Sequence, residues 1–274
     1  MLSLKRNSKG GFIDAPGVRK RNIYSSSSSK QFKLSRGKFS DFLTCPRCFY
    51  LDRVKGLISP SLPGWSLNSL TDDLLKKEFD YCRETQTPHR IISESGLTNI
   101  IPYSHPDIDK WRDSLHHGIQ YRLPDSNILL TGGIDDIWID LTTKELIIVD
   151  YKSQASSQPL TPYLYLSNYY HQGYKKQIDF YVYLFQMNGY KISRKSYFYV
   201  CNAIRTVDEF NGKMIFEEKL IPYEWDTSWI DEKLTEMINI ISSNEMPDKN
   251  PSCENCAYSM KRSEMEGYTN VNPL

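Results

Sequence analysis

Two aspartates and a lysine, Asp135, Asp150 and Lys152, are the residues of this chain best placed to act together. They lie in the stretch GGIDDIWIDLTTKELIIVDYKSQ, Gly132 to Gln154. Ile137, Ile139, Leu146 and Ile148 alternate with other residues there, as half-buried strands require. A tight turn centred on Thr142 and Thr143 makes the stretch a hairpin. It sets Asp135 opposite Asp150, with Cβ atoms roughly 5 Å apart. Lys152 lies two residues on and shares their face, which by parity is also the face of the four aliphatic residues. Two carboxylates side by side at a buried edge repel each other and lose hydration. A divalent cation between them removes both penalties, so Asp, Asp and Lys on one sheet face outline a site for metal-assisted phosphodiester hydrolysis. The lysine would orient or polarise a water and stabilise developing negative charge, as a compact point charge that arginine does not reproduce. Asp136, Trp138 and Asp140 fall on the opposite face. Asp136 therefore reads as a neighbour, an assignment that a one-residue slip of register would reverse.

A helix expected from His171 to Gly189, ended by Asn188-Gly189, carries the next candidates. Gln177 lies amid Tyr174, Ile178, Tyr181, Leu184 and Phe185 on its wheel, and an amide in an apolar arc needs a partner. Tyr181, one turn on, reaches the same place. These residues alone leave open a satisfied core glutamine or a functional amide.

Gly133-Ile134-Asp135, Val149-Asp150-Tyr151-Lys152 and Gln177-Ile178-Asp179-Phe180-Tyr181, in that order, resemble the PD-(D/E)XK nuclease superfamily, in particular its RecB-like and Cas4-like branch. That branch carries a G-x-D strand, a D-x-K strand and a Q-x-x-x-Y helix at about this spacing. The resemblance implies an α/β fold with a restriction-endonuclease-like core, a mixed central sheet flanked by helices. It implies Mg²⁺ or Mn²⁺ held by Asp135, Asp150 and the Tyr151 carbonyl, with Gln177 and Tyr181 beside the active site. It also implies cleavage of DNA, from a strand end or on single strands, in repair, recombination or defence. Related nucleases often add a His ligand from an earlier helix, and this chain has none at the matching place. On the helix expected from Leu67 to Arg83, the apolar face is Leu67, Leu70, Leu74, Leu75, Phe79 and Cys82. Asp72 lies at the edge of that face and Asp73 points away. Asp72 is either the substitute ligand or an exposed acid near the helix start, favoured by the macrodipole.

Cys45-Pro-Arg-Cys48 and Cys253-Glu-Asn-Cys256 make two C-x-x-C pairs. Together they suit a four-thiolate site for zinc or an iron–sulfur cluster; apart they are two pairs of buried thiols. Cas4-like relatives have one such cysteine before a Pro-Arg-aromatic helix and three near the C-terminus, which hold an iron–sulfur cluster. This chain departs from that pattern, with Arg262 where the last cysteine is expected and Cys48 as the possible fourth thiolate. A joint site would tie the N- and C-terminal segments together. Cys82 and Cys201 read as core thiols.

The remaining features bound the answer more loosely. A chain of 274 residues with 39% hydrophobic and 24% charged content suits a soluble globular protein. A net charge of +1 gives no global case for nucleic acid, so any attracting field must come from local clustering. No apolar run reaches membrane-spanning length, and the basic start lacks an apolar segment behind it. Six cysteines suit a reducing compartment, hence the cytoplasm. Residues 1–35, with the run Ser25 to Ser29, are expected as a disordered, basic, Ser-rich tail. Residues 36–274 are expected as the nuclease domain, including the clasp of 45–48 with 253–256. Ser40 is a candidate helix N-cap. Lys195 to Ala203 and Lys213 to Tyr223 read as strands, and Asp226 to Ser243 as a helix with Trp229, Leu234, Met237, Ile238 and Ile241 inward. Trp111, Tyr121, Arg90, Lys110, Arg112 and Arg122 suit a nucleic-acid groove or an ordinary solvated face. The sequence carries no helicase motif, so unwinding would fall to a helicase or another repair or defence protein in trans. Two other readings stay open: a DNA-binding or scaffolding protein without catalysis, and a redox-sensing cysteine clasp.

Overall fold

The computed structural model describes residues 4–60, 64 and 66–268. In chain order it begins with β1 (Phe32–Ser35), α1 (Arg36–Thr44), α2 (Pro46–Arg53), α3 (Ser66–Thr85) and α4 (Arg90–Glu94). Then come β2 (Ile100–Pro102), α5 (Ile108–Arg112), β3 (Ile119–Arg122), β4 (Ile128–Gly132), β5 (Asp136–Asp140) and β6 (Leu146–Gln154). The last elements are α6 (Pro162–Ser167), a single 3-10 turn Tyr169–His171, α7 (Gln172–Met187), β7 (Lys195–Ala203), β8 (Phe216–Glu224), α8 (Ile230–Ser242) and α9 (Glu254–Met265).

Two compact units emerge rather than the single domain expected from residue 36. One runs through Gly64 and takes Arg122–Leu130 and the chain from Trp229; the other holds Trp65–Tyr121 and Thr131–Ser228. Three strands pair in the order β1-β4-β3, and five in the order β2-β5-β6-β7-β8.

The five-stranded sheet organises the second unit. β6 and β7 are parallel and the other neighbours antiparallel. A parallel pair needs a crossover, which α6 and α7 supply. On one face Trp138, Ile147, Val149, Tyr151, Tyr197 and Tyr199 form a core with Leu75 and Phe79 of α3 and Ile91 and Ile92 of α4. On the other face α7 packs on β6. The hairpin register is the expected one: Asp136 opposes Val149 and Ile137 opposes Ile148. Asp135, however, lies in a bend just before β5 rather than within the strand. The loop between the strands closes over Thr142 and Thr143, whose backbone N–H groups donate to Asp140 Oδ1 at 2.7 and 3.2 Å.

The α3 face is shorter than its pattern suggests. Leu75, Phe79, Cys82 and Arg83 are buried, whereas Leu67, Leu70 and Leu74 are 49–62% exposed. The first two turns of α3 thus hold their helix without a packed apolar stripe. Trp111 is also buried, stacked on His105 with ring centroids 4.2 Å apart. Arg90 pairs with Glu218, Lys110 with Asp107 and Arg112 with Asp80 and Asp136. These three cations are engaged in ion pairs of the unit itself, as an ordinary polar face would have them.

In the first unit the expected tail carries structure. Val18 bridges Leu57, the Tyr24 N–H donates to the Arg53 carbonyl at 2.8 Å, and β1 buries Phe32 and Leu34. Each partner is distant in sequence or isolated in polar text, so no local periodicity announces it. Ser35, not Ser40, caps α1, its Oγ accepting from the Lys38 N–H at 3.4 Å. Pro46 starts α2, where its missing N–H costs nothing. Phe39 stacks on Trp229 at 6.0 Å, and the Tyr50 hydroxyl donates to the Ser243 carbonyl at 3.1 Å.

Candidate active site

The sequence places a glycine pair just ahead of Asp135, and the packing explains it. A Cβ on Gly132 would meet Tyr181 Cε1 at 2.8 Å, and one on Gly133 would meet Ser114 Cβ at 2.4 Å. The chain can enter the bend only with bare backbone at both positions, and Tyr181 thereby packs directly against it. From this bend Asp135 reaches β6, where its Oδ2 accepts from the Tyr151 N–H at 2.8 Å.

Asp150, fully buried on β6, forms an ion pair with Lys152. Gln177 of α7 donates from Nε2 to Asp150 Oδ1 at 2.8 Å and lies 3.1 Å from the Tyr181 hydroxyl. The Lys152 ammonium also donates to the Tyr151 carbonyl at 3.3 Å and stands 4.8 Å from the centre of the Tyr174 ring. All five candidates on the hairpin and α7 are thus drawn together: Asp135, Asp150, Lys152, Gln177 and Tyr181. Burial, then the charge of Asp150, pushes the Asp135 carboxyl up to about 7, against the pull of Lys152 and the Tyr151 N–H. Burial alone would lower Lys152, but Asp150 and then Asp135 hold it above the ordinary lysine value. The lysine stays a cation beside two acids that resist being charged together.

Asp72 joins from α3. Its Oδ2 accepts from Lys76 at 2.7 Å, while its Oδ1 is buried without a hydrogen-bond partner. Burial and the charge of Asp135 push its carboxyl upward. Asp72, Tyr151, Lys152 and Tyr174 line one cleft of about 350 Å³. The orphaned oxygen, the strained Asp135–Asp150 pair and an all-oxygen donor set fit a hard divalent cation such as Mg²⁺ or Mn²⁺. The oxygens of Asp72, Asp135 and Asp150 are not all within 4.8 Å of one another; among the described residues only the four cysteines are grouped that closely.

Asp136 turns the other way, as its parity requires, into a network that the sequence does not announce. Its fully buried carboxylate accepts from Arg83, from Arg112 at 2.8 Å, from Trp138 Nε1 at 3.2 Å and from the Tyr151 hydroxyl at 2.9 Å. Tyr151 therefore spans the sheet. Its backbone meets Asp135 and Lys152 on one side, and its hydroxyl is fixed to Asp136 on the other. Arg83 is the residue sequence reasoning missed, and Arg112, read as part of a groove or solvated face, turns inward to Asp136 instead. A lone arginine at the end of an apolar helix stripe was the available signal.

In the first unit Cys45, Cys48, Cys253 and Cys256 converge, with all four sulfurs within 4.8 Å of one another. Cys48 Sγ lies 3.5 Å from Cys253 and 3.4 Å from Cys256, and Cys45 lies 3.7 Å from Cys256. All four are free thiols. Burial raises Cys48, and raises Cys256 to about 11. It works against Cys45 as well, yet the backbone at Asn250 and Cys48 and the neighbouring thiols draw Cys45 down to about 7. A thiolate at Cys45 packed against the reluctant thiols of Cys48 and Cys256 is a cluster that a metal cation would relieve. Cys82 and Cys201 are buried apart from it, as core thiols.

The sequence model of the PD-(D/E)XK nuclease superfamily matches residues 68–260. No curated protein matches the chain. Among solved structures, that of a candidate exonuclease from Eubacterium rectale is similar at 15% identity and a TM-score of 0.42, over 94% of this chain and 96% of that one.

Proposed function

This chain belongs to the PD-(D/E)XK nuclease superfamily, and from that premise we propose that it is an active deoxyribonuclease of the RecB-like, Cas4-like kind, dependent on Mg²⁺ or Mn²⁺. The observation that carries the reading is the convergence of Asp135, from the bend ahead of β5, with Asp150 and Lys152 of β6, Gln177 fixing Asp150. Asp135, Asp150, the Tyr151 carbonyl and Asp72 are the groups that would hold the cation. Once bound, it would supply a water of lowered pKa and neutralise phosphate charge.

The chain's own residues do the rest. Lys152, kept protonated by two acids, presents a positive charge where a phosphate builds up negative charge. Gln177 holds one oxygen of Asp150, so the other is aimed by default. Tyr181 braces the Gln177 amide, and the Tyr151 hydroxyl anchors the strand from behind. Attack at a strand end or on a single strand, in repair, recombination or defence, is part of the same proposal. So are a cytoplasmic setting and a helicase or other repair or defence protein in trans. End-labelled and internally labelled DNA, single- and double-stranded, incubated with Mn²⁺ would test it. Metal-dependent release of short products is expected, lost in Asp150→Asn. Binding without any cleavage would instead favour a scaffolding role.

We further propose that the four cysteines hold one zinc ion rather than an iron–sulfur cluster. A Zn–S length of about 2.3 Å puts tetrahedral sulfurs about 3.8 Å apart, close to the 3.4–3.7 Å separations here. A four-iron cluster sets each sulfur one iron farther out, so its thiolates cannot stand in mutual contact. Such a clasp joins Cys45 and Cys48, ahead of and within α2, to Cys253 and Cys256 at α9. Colourless protein with about one zinc per chain is expected; brown protein containing iron would overturn this assignment and reopen a redox role.

A further inference from the structure

The crossover between β6 and α7 has an unusual composition. From Ser153 to Ile178 there is no Asp or Glu, yet Tyr163, Tyr165, Tyr169, Tyr170 and Tyr174 all fall within it. Tyr163, Tyr169 and Tyr170 are 79%, 84% and 83% exposed. An aromatic ring gains nothing by standing in water, so three in eight residues ask for an occupant. The segment leads to the candidate site through a file of rings. Tyr165 lies 4.2 Å from His171, His171 stacks on Tyr174 at 5.2 Å, and Tyr174 faces the Lys152 ammonium at 4.8 Å. A second, independent observation points to a ligand: Tyr165 is 3% exposed, and its hydroxyl has no hydrogen-bond partner. Lys175 and Lys176 follow at the start of α7, and neither forms an ion pair among the described residues.

We propose that Tyr163, Tyr169 and Tyr170 form a stacking platform for the bases of a single nucleic-acid strand, whose backbone is led past Tyr174 to Lys152. The absence of acids and the presence of lysines match a polyanion. Exposed rings match unpaired bases, whose faces are free, and not duplex bases already stacked on their neighbours. The inference rests on the nuclease reading for the direction in which the strand runs, but base stacking itself can be measured without cleavage.

The test compares a short labelled thymidine strand with an abasic strand of the same length, by fluorescence anisotropy on the full chain, with Ca²⁺ present and Mg²⁺ and Mn²⁺ absent. Wild type is expected to bind the base-bearing strand about ten-fold or more tightly than the abasic one. Tyr169→Ala with Tyr170→Ala should close most of that gap, and the two Tyr→Phe substitutions should keep it. Both side chains are exposed, so an unchanged melting temperature is the folding control. A wild-type protein blind to the bases, or a gap that survives the double alanine variant, would overturn the platform. Failure to cleave any DNA would sink the nuclease reading while leaving this comparison intact.

Discussion

Replacing Asp135 and Asp136, one at a time, by Asn exchanges one oxygen for an amide group at adjacent positions, and the two changes should part company. Asp136 is fully buried and faces Arg83 and Arg112, whose side chains are 7% and 8% exposed. A neutral amide leaves both guanidiniums without their buried counter-charge; among the described residues the one acid that still meets them is Asp80, 44% exposed. Breaking a buried pair costs about 3–5 kcal/mol, so Asp136→Asn should lose about that much stability and still cleave DNA below its lowered melting point. Asp135 behaves in the opposite sense. Its carboxyl is pushed from 3.8 up to about 7, and each unit is worth about 1.4 kcal/mol. Between roughly pH 4 and pH 7 the folded protein holds a proton that the unfolded chain has released. Stability of the metal-free protein therefore falls as pH rises through that window, by roughly 2–4 kcal/mol in all. Asp135→Asn should remove this pH dependence, stabilise the metal-free protein at pH 8 and abolish cleavage. Urea unfolding followed by tryptophan fluorescence at pH 5 and pH 8, without Mg²⁺ or Mn²⁺, reads the first quantity; Mn²⁺-dependent cleavage reads the second. Equal loss of stability in both variants, or a stable and inactive Asp136→Asn, would refute the assignment of faces.

Three further outcomes follow from the same geometry. Gln177→Ala leaves one oxygen of the buried Asp150 without its donor; a hydrogen bond to a charged group is worth about 1.5–3 kcal/mol, so the metal-free protein should lose about that much stability, and cleavage below its lowered melting point should be slower than wild type. Asp72→Ala should raise the Mn²⁺ concentration needed for half-maximal cleavage, about ten-fold if Asp72 donates to the ion; an unchanged titration would return Asp72 to being a helix-start acid. Cys256→Ser should lower zinc content, measured by atomic emission, and lower the melting temperature of the metal-loaded protein; full zinc and an unchanged melt would show that the cysteines hold no shared ion.

The hairpin was legible because period-two alternation fixes both register and face, and the antiparallel pairing of Ile137 with Ile148 follows from it directly. Gln177 was legible for a related reason: a polar side chain in an apolar arc advertises a partner. β7 matches its expected bounds, Lys195–Ala203, because a buried strand is a continuous apolar run. What stayed hidden depends on contacts across long separations. Arg83 meets Asp136 over 53 positions, and nothing local distinguishes it from a solvated arginine. Tyr24 and β1 were lost in Ser-rich text for the same reason. Asp135 lies outside β5 because bare Gly132 and Gly133 bend the chain around Tyr181 and Ser114, a tertiary demand that alternation does not record. Leu67, Leu70 and Leu74 misled in the opposite direction: a helical stripe shows that a face exists, not that anything covers it.

The most direct test of the central claim is the rate at which wild type and Lys152→Ala degrade labelled single- and double-stranded DNA in Mn²⁺. Loss of one charge-stabilising donor should slow cleavage about 100-fold or more, with the fold intact and a Lys152→Arg variant failing to restore it. Equal degradation by wild type and Lys152→Ala, or none by either, would contradict the account and leave a nuclease fold without its chemistry.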